Sequence, residues 1–514
     1  MAETIIHRGQ WWLPDDPDNV QHGVLRIDEH RSATLELVGG FTVEKYGPPA
    51  ENGMLPVLWN GHIEMIHGRT STAEVTLLGI DVVKSSGVLD TVADQVLEID
   101  QVMVGALLDD PEEVTFAGVE VAFDYLLVFA NRSGLQWFMD FDSEHRLEKA
   151  RAVAVKVSAL NAEWNGYRFR LSVNMSPFQF LENGPDSRGA ISQETARLHI
   201  EHDDLQSAAS YFELVATFQD LLTLAMDHPC AIRSITYRLP YEPHDGRPWP
   251  PTVKAYYRYI YPADSKPFMP RDGKQFFTLG DDVRFENIVP RWYELAINQI
   301  STALRLILSI NYAGDGFVGA ELMTQCSALE SLHRGLYDHG KMSPEEYEAL
   351  IAQALAGVDP NWTEMVRQSV RNDLSFAMRL RELVAKPDRA AVVRLLTNDS
   401  KWISQAQKGR NALAHATSHR GSMPLELQYR LLMVTRAFSS LVIGQELGIP
   451  PDSQMRFVIE GEVNFHARRF GQLMGLLPDG PQPMGVYVGE VKAESTAVQG
   501  GLLDSGSSPG KAEV

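Results

Sequence analysis

Residues 399–415 read DSKWISQAQKGRNALAH and predict one amphipathic helix in the second half of the chain. Asp399 or Ser400 can cap its first turn, since both side chains accept hydrogen bonds from free backbone amides. Small or apolar residues recur at helical spacing and predict a buried stripe of Trp402, Ala406, Gly409 and Leu413. Asn411 and His415 are four positions apart, so they share the face opposite that stripe. We therefore expect both side chains to face solvent or a partner.

Arg410 directly precedes Asn411, and its long side chain can swing towards the same face. Spacing alone is a weak signal, because an Arg is followed by a His five to seven positions later four times in the chain. The four pairs are Arg197/His202, Arg238/His244, Arg334/His339 and Arg410/His415. The last pair alone has an Asn directly after the Arg, within a predicted helix. A His near a helix end can also cap carbonyl groups and favour the helix dipole, and the local sequence leaves that alternative open.

The charge composition limits the kinds of partner. The 514 residues include 67 acidic and 46 basic side chains, a formal net charge of −21. Such a surface repels polyanions at long range, which excludes broad coating of nucleic acid but leaves room for a small basic RNA pocket. Two cysteines, Cys230 and Cys326, are too few for a disulfide framework and suit a reducing cytosol. Neither a signal peptide nor a spanning apolar run is found, so we expect a cytoplasmic protein without membrane contact.

The first half of the chain predicts β-structure. Short runs with period-two alternation, separated by Pro, Gly and Asn turns, lie at 23–28, 33–38, 74–83, 96–107, 114–123, 135–141, 152–157, 167–173 and 195–201. A helix is predicted at 207–226, and further strands at 231–239 and 253–261. Many short strands with regular turns indicate an antiparallel, sandwich-like or barrel-like sheet.

The second half predicts helices. They lie at 291–311, 319–339, 343–356, 361–384, 388–395, 399–416 and 424–447. From residue 478 onward Gly, Pro and Ser dominate, which predicts a disordered tail. We therefore expect an α+β chain with a β-rich domain at 1–288, an all-α helical-bundle domain at 289–477 and a tail at 478–514.

Other candidate sites are weaker. His62 with His67, and His199 with His202, have no third ligand at suitable spacing, so we predict no metal site. No glycine-rich phosphate loop and no serine nucleophile elbow occur, and no cofactor is expected. Glu330 and Arg334 are four apart on a predicted helix. They form either a helical salt bridge or a supporting pair in which Glu330 orients Arg410 or His415.

Several of these segments resemble one family. Arg410-Asn411, followed after three residues by His415 in an all-helical domain, resembles the HEPN ribonuclease signature. Residues 325–336, QCSALESLHRGL, are similar to the "ALE-LHR" helix of the ApeA-like HEPN proteins of bacterial anti-phage defence. The first half resembles the ApeA N-terminal domain in the order of its segments: WWLP at 11–14, GVL at 23–25, LELVG at 35–39 and VTLL at 75–78. The resemblance extends to about residue 450.

The resemblance implies a metal-independent endoribonuclease. In that chemistry the ribose 2′-hydroxyl attacks the neighbouring phosphate and leaves a 2′,3′-cyclic phosphate and a 5′-hydroxyl. His415 would move protons near neutral pH. Arg410 would stabilise charge on the phosphoryl oxygens with its planar fork. Asn411 would orient His415 or the scissile phosphate.

The resemblance also implies how the protein acts. We expect a homodimer, or a higher even-numbered homo-oligomer, with two facing sets of site residues. The substrate would be RNA, such as tRNA or another host or phage RNA. Defence would be of the abortive-infection type, with the β domain sensing a phage trigger and restraining cleavage. The alternative is a non-catalytic HEPN scaffold for dimerisation or RNA binding, carrying a β-sandwich sensor for a ligand or phage protein.

Overall fold

The computed structural model describes residues 4–29, 31–41, 44–46, 57–59, 61–88, 91–182, 188–241, 250–258, 275–313, 316–337, 339–414 and 423–478. Within these ranges the chain is rich in antiparallel strands up to residue 257 and helical from residue 285 to 473. The α+β class expected from the sequence is confirmed. The expected tail falls almost entirely at 479–514, outside the described residues.

The strands of the first half alternate buried and exposed side chains, as their period-two pattern predicts. They are β1 (Ile5–Leu13), β2 (Asp16–Ile27), β3 (Ala33–Val38), β4 (Glu44–Tyr46), β5 (Val57–Trp59), β6 (His62–Thr70), β7 (Glu74–Val88), β8 (Thr91–Val104), β9 (Phe116–Phe123), β10 (Leu135–Phe141), β11 (Leu147–Ala154), β12 (Leu160–Trp164), β13 (Tyr167–Met175), β14 (Gln179–Glu182), β15 (Arg188–Ile191), β16 (Glu194–Gln206), β17 (Ile232–Arg238) and β18 (Thr252–Tyr257). Twelve of them form one sheet, in the order β12-β13-β16-β9-β17-β18-β8-β3-β2-β1-β6-β7.

Part of this sheet closes on itself. The long strand β8 pairs with β3, β18 and also β7, so β8-β3-β2-β1-β6-β7 forms a closed barrel. Its interior is a separate apolar core that includes Trp11, Leu35 and Leu77, all fully buried. A Cβ on Gly68 would lie 2.3 Å from the Trp11 ring, so only glycine lets that indole lie against β6.

The remainder of the sheet packs against helices. Among the described residues of this half there are two helices, α1 (Leu126–Ala130) and α2 (Ala208–Met226), the latter capped by Ser207. The Tyr293 hydroxyl donates to the Leu214 carbonyl at 2.6 Å, and the Trp292 indole N–H donates to the Thr217 carbonyl at 2.7 Å. One continuous apolar core therefore extends from the outer part of the sheet into the helical half.

The helices of the second half follow in chain order. They are α3 (Phe285–Tyr293), α4 (Ser301–Ala313), α5 (Val318–Leu336), α6 (Pro344–Leu355), α7 (Pro360–Ser369), α8 (Phe376–Val384), α9 (Arg389–Leu396), α10 (Asp399–Ala414), α11 (Leu425–Leu447), α12 (Pro451–Glu460) and α13 (Glu462–Leu473), with a π-helical turn at Glu294–Gln299. None of the helices that the structure describes is both long and apolar enough to cross a membrane. The predicted boundary at 288/289 falls inside α3, and the division of the chain there stays a prediction.

The single helix predicted at 361–384 is wrong in detail. The chain leaves α7 at Val370, which is extended, and α8 begins only after Ser375, whose side chain caps it. Between them Asn372 pairs with the backbone of Met342, donating to its carbonyl at 2.8 Å and accepting from its N–H at 3.1 Å. This tertiary contact holds the segment extended and competes with the helical pattern.

Helix α10 lies against α5, α8 and α11. Trp402 is fully buried, and its indole N–H donates to the Thr435 hydroxyl on α11 at 3.3 Å. Ala406 and Gly409 are buried too, and a Cβ on Gly409 would lie 2.9 Å from a methyl of Leu322 on α5. The buried stripe predicted from the sequence is thus present at these three positions, whereas the side chain of Leu413 lies outside the described residues.

Candidate functional site

Arg410 lies on the last turns of α10 and is held from two sides. Its Nη2 donates to the Glu330 Oε2 at 2.6 Å, and about a third of the arginine side chain, 30%, is exposed. Its guanidinium carbon lies 4.8 Å from the centre of the Phe376 ring on α8. A carboxylate and an aromatic face together restrict the orientation of the guanidinium. Arg410 is therefore positioned by residues that lie far from it in sequence.

Glu330 bridges two cations. Its second oxygen, Oε1, lies 3.2 Å from the Nη2 of Arg334, one helical turn further along α5. The sequence presents two alternatives for Glu330, a salt bridge on α5 and a contact with Arg410. Both are present in the structure. A role of Glu330 in orienting Arg410 for catalysis stays a prediction.

Asn411 and His415 are the other two members of the predicted trio. Asn411 is exposed, in agreement with its predicted position opposite the buried stripe. His415 lies in the segment 415–422, outside the described residues. The structure therefore brings together Arg410, Glu330 and Arg334, and the proton-transfer role of His415 rests on the sequence.

The thiol beneath this site is inert. Cys326 is fully buried, and its Sγ donates to the Ala406 carbonyl at 3.7 Å. Burial raises the pKa of Cys326 to about 12, although the nearby Arg410 acts in the opposite direction. The thiol is neutral at physiological pH and is excluded as a nucleophile.

A second polar cluster, which was not predicted from the sequence, lies next to Arg334. His333 is fully buried; its Nδ1 lies 3.0 Å from the Nη1 of Arg379, and its Nε2 lies 2.7 Å from the Oε2 of Glu382. Nε2 of His339 lies 3.0 Å from the same carboxylate. One feature of the sequence does indicate a buried polar cluster here. His333 continues the apolar stripe of α5 at helical spacing, and a buried imidazole requires polar partners.

The residue types of this cluster are those that bind metal ions. Among the described residues, His333, His339 and Glu382 offer three ligand atoms that lie within 4.8 Å of one another. Arg379 can only donate, so Nδ1 of His333 accepts and Nε2 carries the proton in the neutral ring. A protonated Nε2 donates to Glu382 and has no lone pair for a metal. The cluster is better described as a hydrogen-bonded relay from Arg379 through His333 to Glu382.

The histidine pairs considered from the sequence bind other groups. The His67 ring lies 2.7 Å from the Leu108 carbonyl oxygen, and His62 contacts Asp81 at 2.9 Å. His199 lies 3.1 Å from the Ser172 hydroxyl, whereas His202 contacts the backbone of Asp204. Each imidazole thus has its own local hydrogen-bond partners.

Comparison with known proteins places these features in a family. Residues 6–292 match the family model described as ApeA N-terminal domain 1, and residues 323–453 match the one described as Apea-like HEPN. No curated protein and no solved structure matches the chain. The second match contains Glu330, Arg334, Arg410 and Asn411.

These matches confirm the resemblance read from the sequence and support an anti-phage defence HEPN protein. HEPN domains are generally associated with ribonuclease activity, and they typically dimerise and bind RNA. The N-terminal match alone covers more than half of the 514 residues. The chain therefore belongs to the ApeA-like family, with an ApeA N-terminal domain followed by an ApeA-like HEPN domain.

Proposed function

We propose that this protein is a metal-independent endoribonuclease of anti-phage defence, with Arg410, Asn411 and His415 as its catalytic residues. The observation that carries the proposal is the arrangement around Arg410. Glu330 and Phe376 hold its guanidinium while part of it stays exposed at the end of α10. A guanidinium has five N–H donors, so donors remain for phosphoryl oxygens after one binds Glu330. Family membership supports RNA as the substrate.

The proposed reaction is an internal transfer at one phosphodiester. The 2′-oxygen forms a bond to phosphorus and the bond from phosphorus to the 5′-oxygen breaks. One imidazole takes the proton of the 2′-hydroxyl, and an acid protonates the departing 5′-oxygen. Arg410 stabilises the negative charge that grows on the non-bridging oxygens. The products are a 2′,3′-cyclic phosphate and a 5′-hydroxyl.

A second copy of the chain would complete the chemistry. In an in-line displacement the attacking 2′-oxygen and the departing 5′-oxygen lie on opposite sides of phosphorus, so one imidazole cannot contact both. Two facing sites supply one imidazole as the base and another as the acid. Asn411 is exposed and close to Arg410 in sequence, so a two-fold axis beside the end of α10 would bring two trios together. We therefore propose a homodimer, or a larger even-numbered assembly.

The N-terminal domain is proposed to restrain cleavage until a phage trigger binds it in the cytoplasm. Supporting this, the two halves share one apolar core. Across it, the Tyr312 hydroxyl on α4 donates to Asp220 on α2 at 2.8 Å and lies 2.9 Å from the Thr223 hydroxyl. A shift of α2 against α4 would also displace α5, which carries Glu330. RNA cleavage during infection would then stop growth before phage mature.

The test uses purified full-length protein and end-labelled RNA in excess EDTA. The parent should cut the RNA and leave ends that a 5′-kinase labels without prior phosphatase treatment. His415→Ala should not cut, while Lys408→Ala, at an exposed position of the same helix, should cut like the parent. Cleavage by His415→Ala at the parent rate, or loss of cleavage in EDTA, contradicts the proposal.

One observation favours a second function. A purely structural ion pair would have the same geometry as the Arg410–Glu330 pair. Such a pair is expected in a non-catalytic HEPN scaffold. Such a scaffold would retain RNA in a gel-shift assay without producing fragments. A phage protein or ligand bound by the β domain would then be brought to that RNA.

A further inference from the structure

A surface formed by α11 and α13 combines aromatic rings with an arginine. Phe465 on α13 is 60% exposed, and Tyr429 on α11 is 38% exposed. The guanidinium carbon of Arg430 lies 4.8 Å from the centre of the Phe465 ring and 5.2 Å from that of the Tyr429 ring. The imidazole of His466 packs edge-on against both rings, at 5.5 Å from Tyr429 and 5.6 Å from Phe465. We call these four residues the aromatic platform.

Arg430 has no acid beside it in the platform. Its Nη1 lies 2.9 Å from the Nδ1 of His466, which accepts, because a guanidinium can only donate. Burial lowers the pKa of His466 to about 4, so this partner is neutral at pH 7. The Nε of Arg430 is buried without a hydrogen-bond partner. Among the described residues no carboxylate lies at ion-pair distance from Arg430, and Glu426, one turn before it, is bound by Arg469.

Two more arginines extend the positive charge along α13. Arg468 and Arg469 follow Phe465 by three and four positions, so they lie on its side of the helix. In the described residues of α13 and of the first two turns of α11, three arginines occur with two acids, Glu426 and Glu462. The whole chain has the opposite balance, with a net charge of −21. This surface is therefore locally suited to an anion.

The platform lies close to Arg410. A Cβ on Gly409, directly before Arg410, would lie 3.8 Å from a methyl of Leu431, directly after Arg430. Helices α10 and α11 are joined through residues 415–422, and both arginines lie within about two turns of that connection. Helix α13 lies beyond residue 453, outside the region that matches the HEPN model. Phe465 and His466 thus add a surface that the matched domain does not contain.

We propose that the aromatic platform binds an unpaired base of the RNA, with Arg430 and Arg468 binding the adjoining phosphates. Every base has a face that can stack on an aromatic ring, and cations beside the ring bind the backbone. A duplex hides the faces of its bases, so the platform selects a single strand or the loop of a folded RNA. RNA enters here as the substrate of the proposed function, on which this site depends.

The experiment measures the affinity of the full-length protein for RNA by fluorescence anisotropy. The probe is a short labelled oligouridine with 2′-O-methyl groups, which lacks the hydroxyl that attacks in the proposed reaction and therefore stays intact. We expect it to bind more tightly than its duplex with oligoadenosine of the same length and chemistry. Binding is thus measured without any dependence on cleavage by His415.

Two changes at Phe465 separate stacking from apolar contact. Phe465→Leu keeps an apolar side chain but removes the aromatic face, and should weaken binding of the single strand by about fivefold to a hundredfold. Phe465→Trp keeps an aromatic face and should bind like the parent. Trp362→Leu is the matched control, an aromatic side chain on α7 that is 54% exposed, and should leave the affinity unchanged.

Arg468→Gln tests the phosphate contact. It should weaken binding and make the affinity less dependent on salt concentration, because one cation no longer displaces a counterion. Arg367→Gln on α7, where the arginine is 52% exposed, is the matched control and should change neither quantity. Urea unfolding of each variant shows that lost binding is not lost folding.

Three results overturn the proposal while leaving the proposed function intact. They are binding that Phe465→Leu weakens no more than Trp362→Leu does, equal losses in Phe465→Leu and Phe465→Trp, and equal affinity for single strand and duplex. A changed oligomeric state of Phe465→Leu with unaltered RNA affinity would assign the rings to a contact between copies of the chain instead. Absence of RNA binding by the parent would contradict the platform and the proposed function together.

Discussion

Replacing Glu330 by Gln should loosen Arg410 and reduce RNA cleavage while the helical half stays folded. The carboxylate accepts from Arg410 at 2.6 Å, and the two side chains are 20% and 30% exposed. A hydrogen bond between charged groups contributes about 1.5–3 kcal/mol. Partial exposure reduces this, so we expect the free energy of unfolding to fall by about 1–2 kcal/mol.

The expected effect on catalysis is larger. A guanidinium displaced by about an ångström from the phosphoryl oxygens lowers the rate by about tenfold to a hundredfold. Because Arg410 is proposed to act on charge that develops in the transition state, kcat should fall more than KM rises. Steady-state cleavage of labelled RNA over a range of RNA concentrations gives kcat and KM, and urea unfolding gives the free energy of unfolding.

Arg334→Gln is the matched control for stability. It removes the other half of the bridge, in which the arginine is 55% exposed, and should lower the free energy of unfolding by no more than about 0.5 kcal/mol. If Glu330→Gln unfolds as Arg334→Gln does and cleaves RNA at the parent rate, Glu330 does not position Arg410. The bridge would then be a surface ion pair and nothing more.

Three further changes test the packing. Gly409→Val should separate α10 from Leu322 and lower the free energy of unfolding by about 1–3 kcal/mol in urea titration, whereas an unchanged midpoint would refute the close approach. Gly68→Ala should displace the Trp11 ring and destabilise the barrel, with a changed tryptophan emission as the readout. Burial lowers the pKa of His466 to about 4, so its stabilising contribution is present above pH 6.5 and is lost as the pH falls towards 4. In His466→Gln the free energy of unfolding should therefore change less with pH across that range. An unaltered pH profile would contradict the lowered pKa of His466.

The sequence alone predicts features that depend on local periodicity. Burial of Trp402 and Ala406 follows from helical spacing within one segment, and so does the exposure of Asn411. The succession of strands and then helices is local in the same sense. Where a distant contact competes, the pattern fails, as at Asn372, whose pairing with Met342 interrupts the single helix expected at 361–384.

Only the tertiary structure decides which distant side chains meet. Glu330 and Arg410 are 80 residues apart, and α5 and α10 approach closely enough for their ion pair because Gly409 has no side chain against Leu322. The relay from Arg379 through His333 to Glu382 likewise joins two helices. Periodicity shows that a side chain is buried, but its hydrogen-bond partners depend on the packing of whole helices. For that reason the sequence points to Arg410, and the structure identifies the groups that hold it.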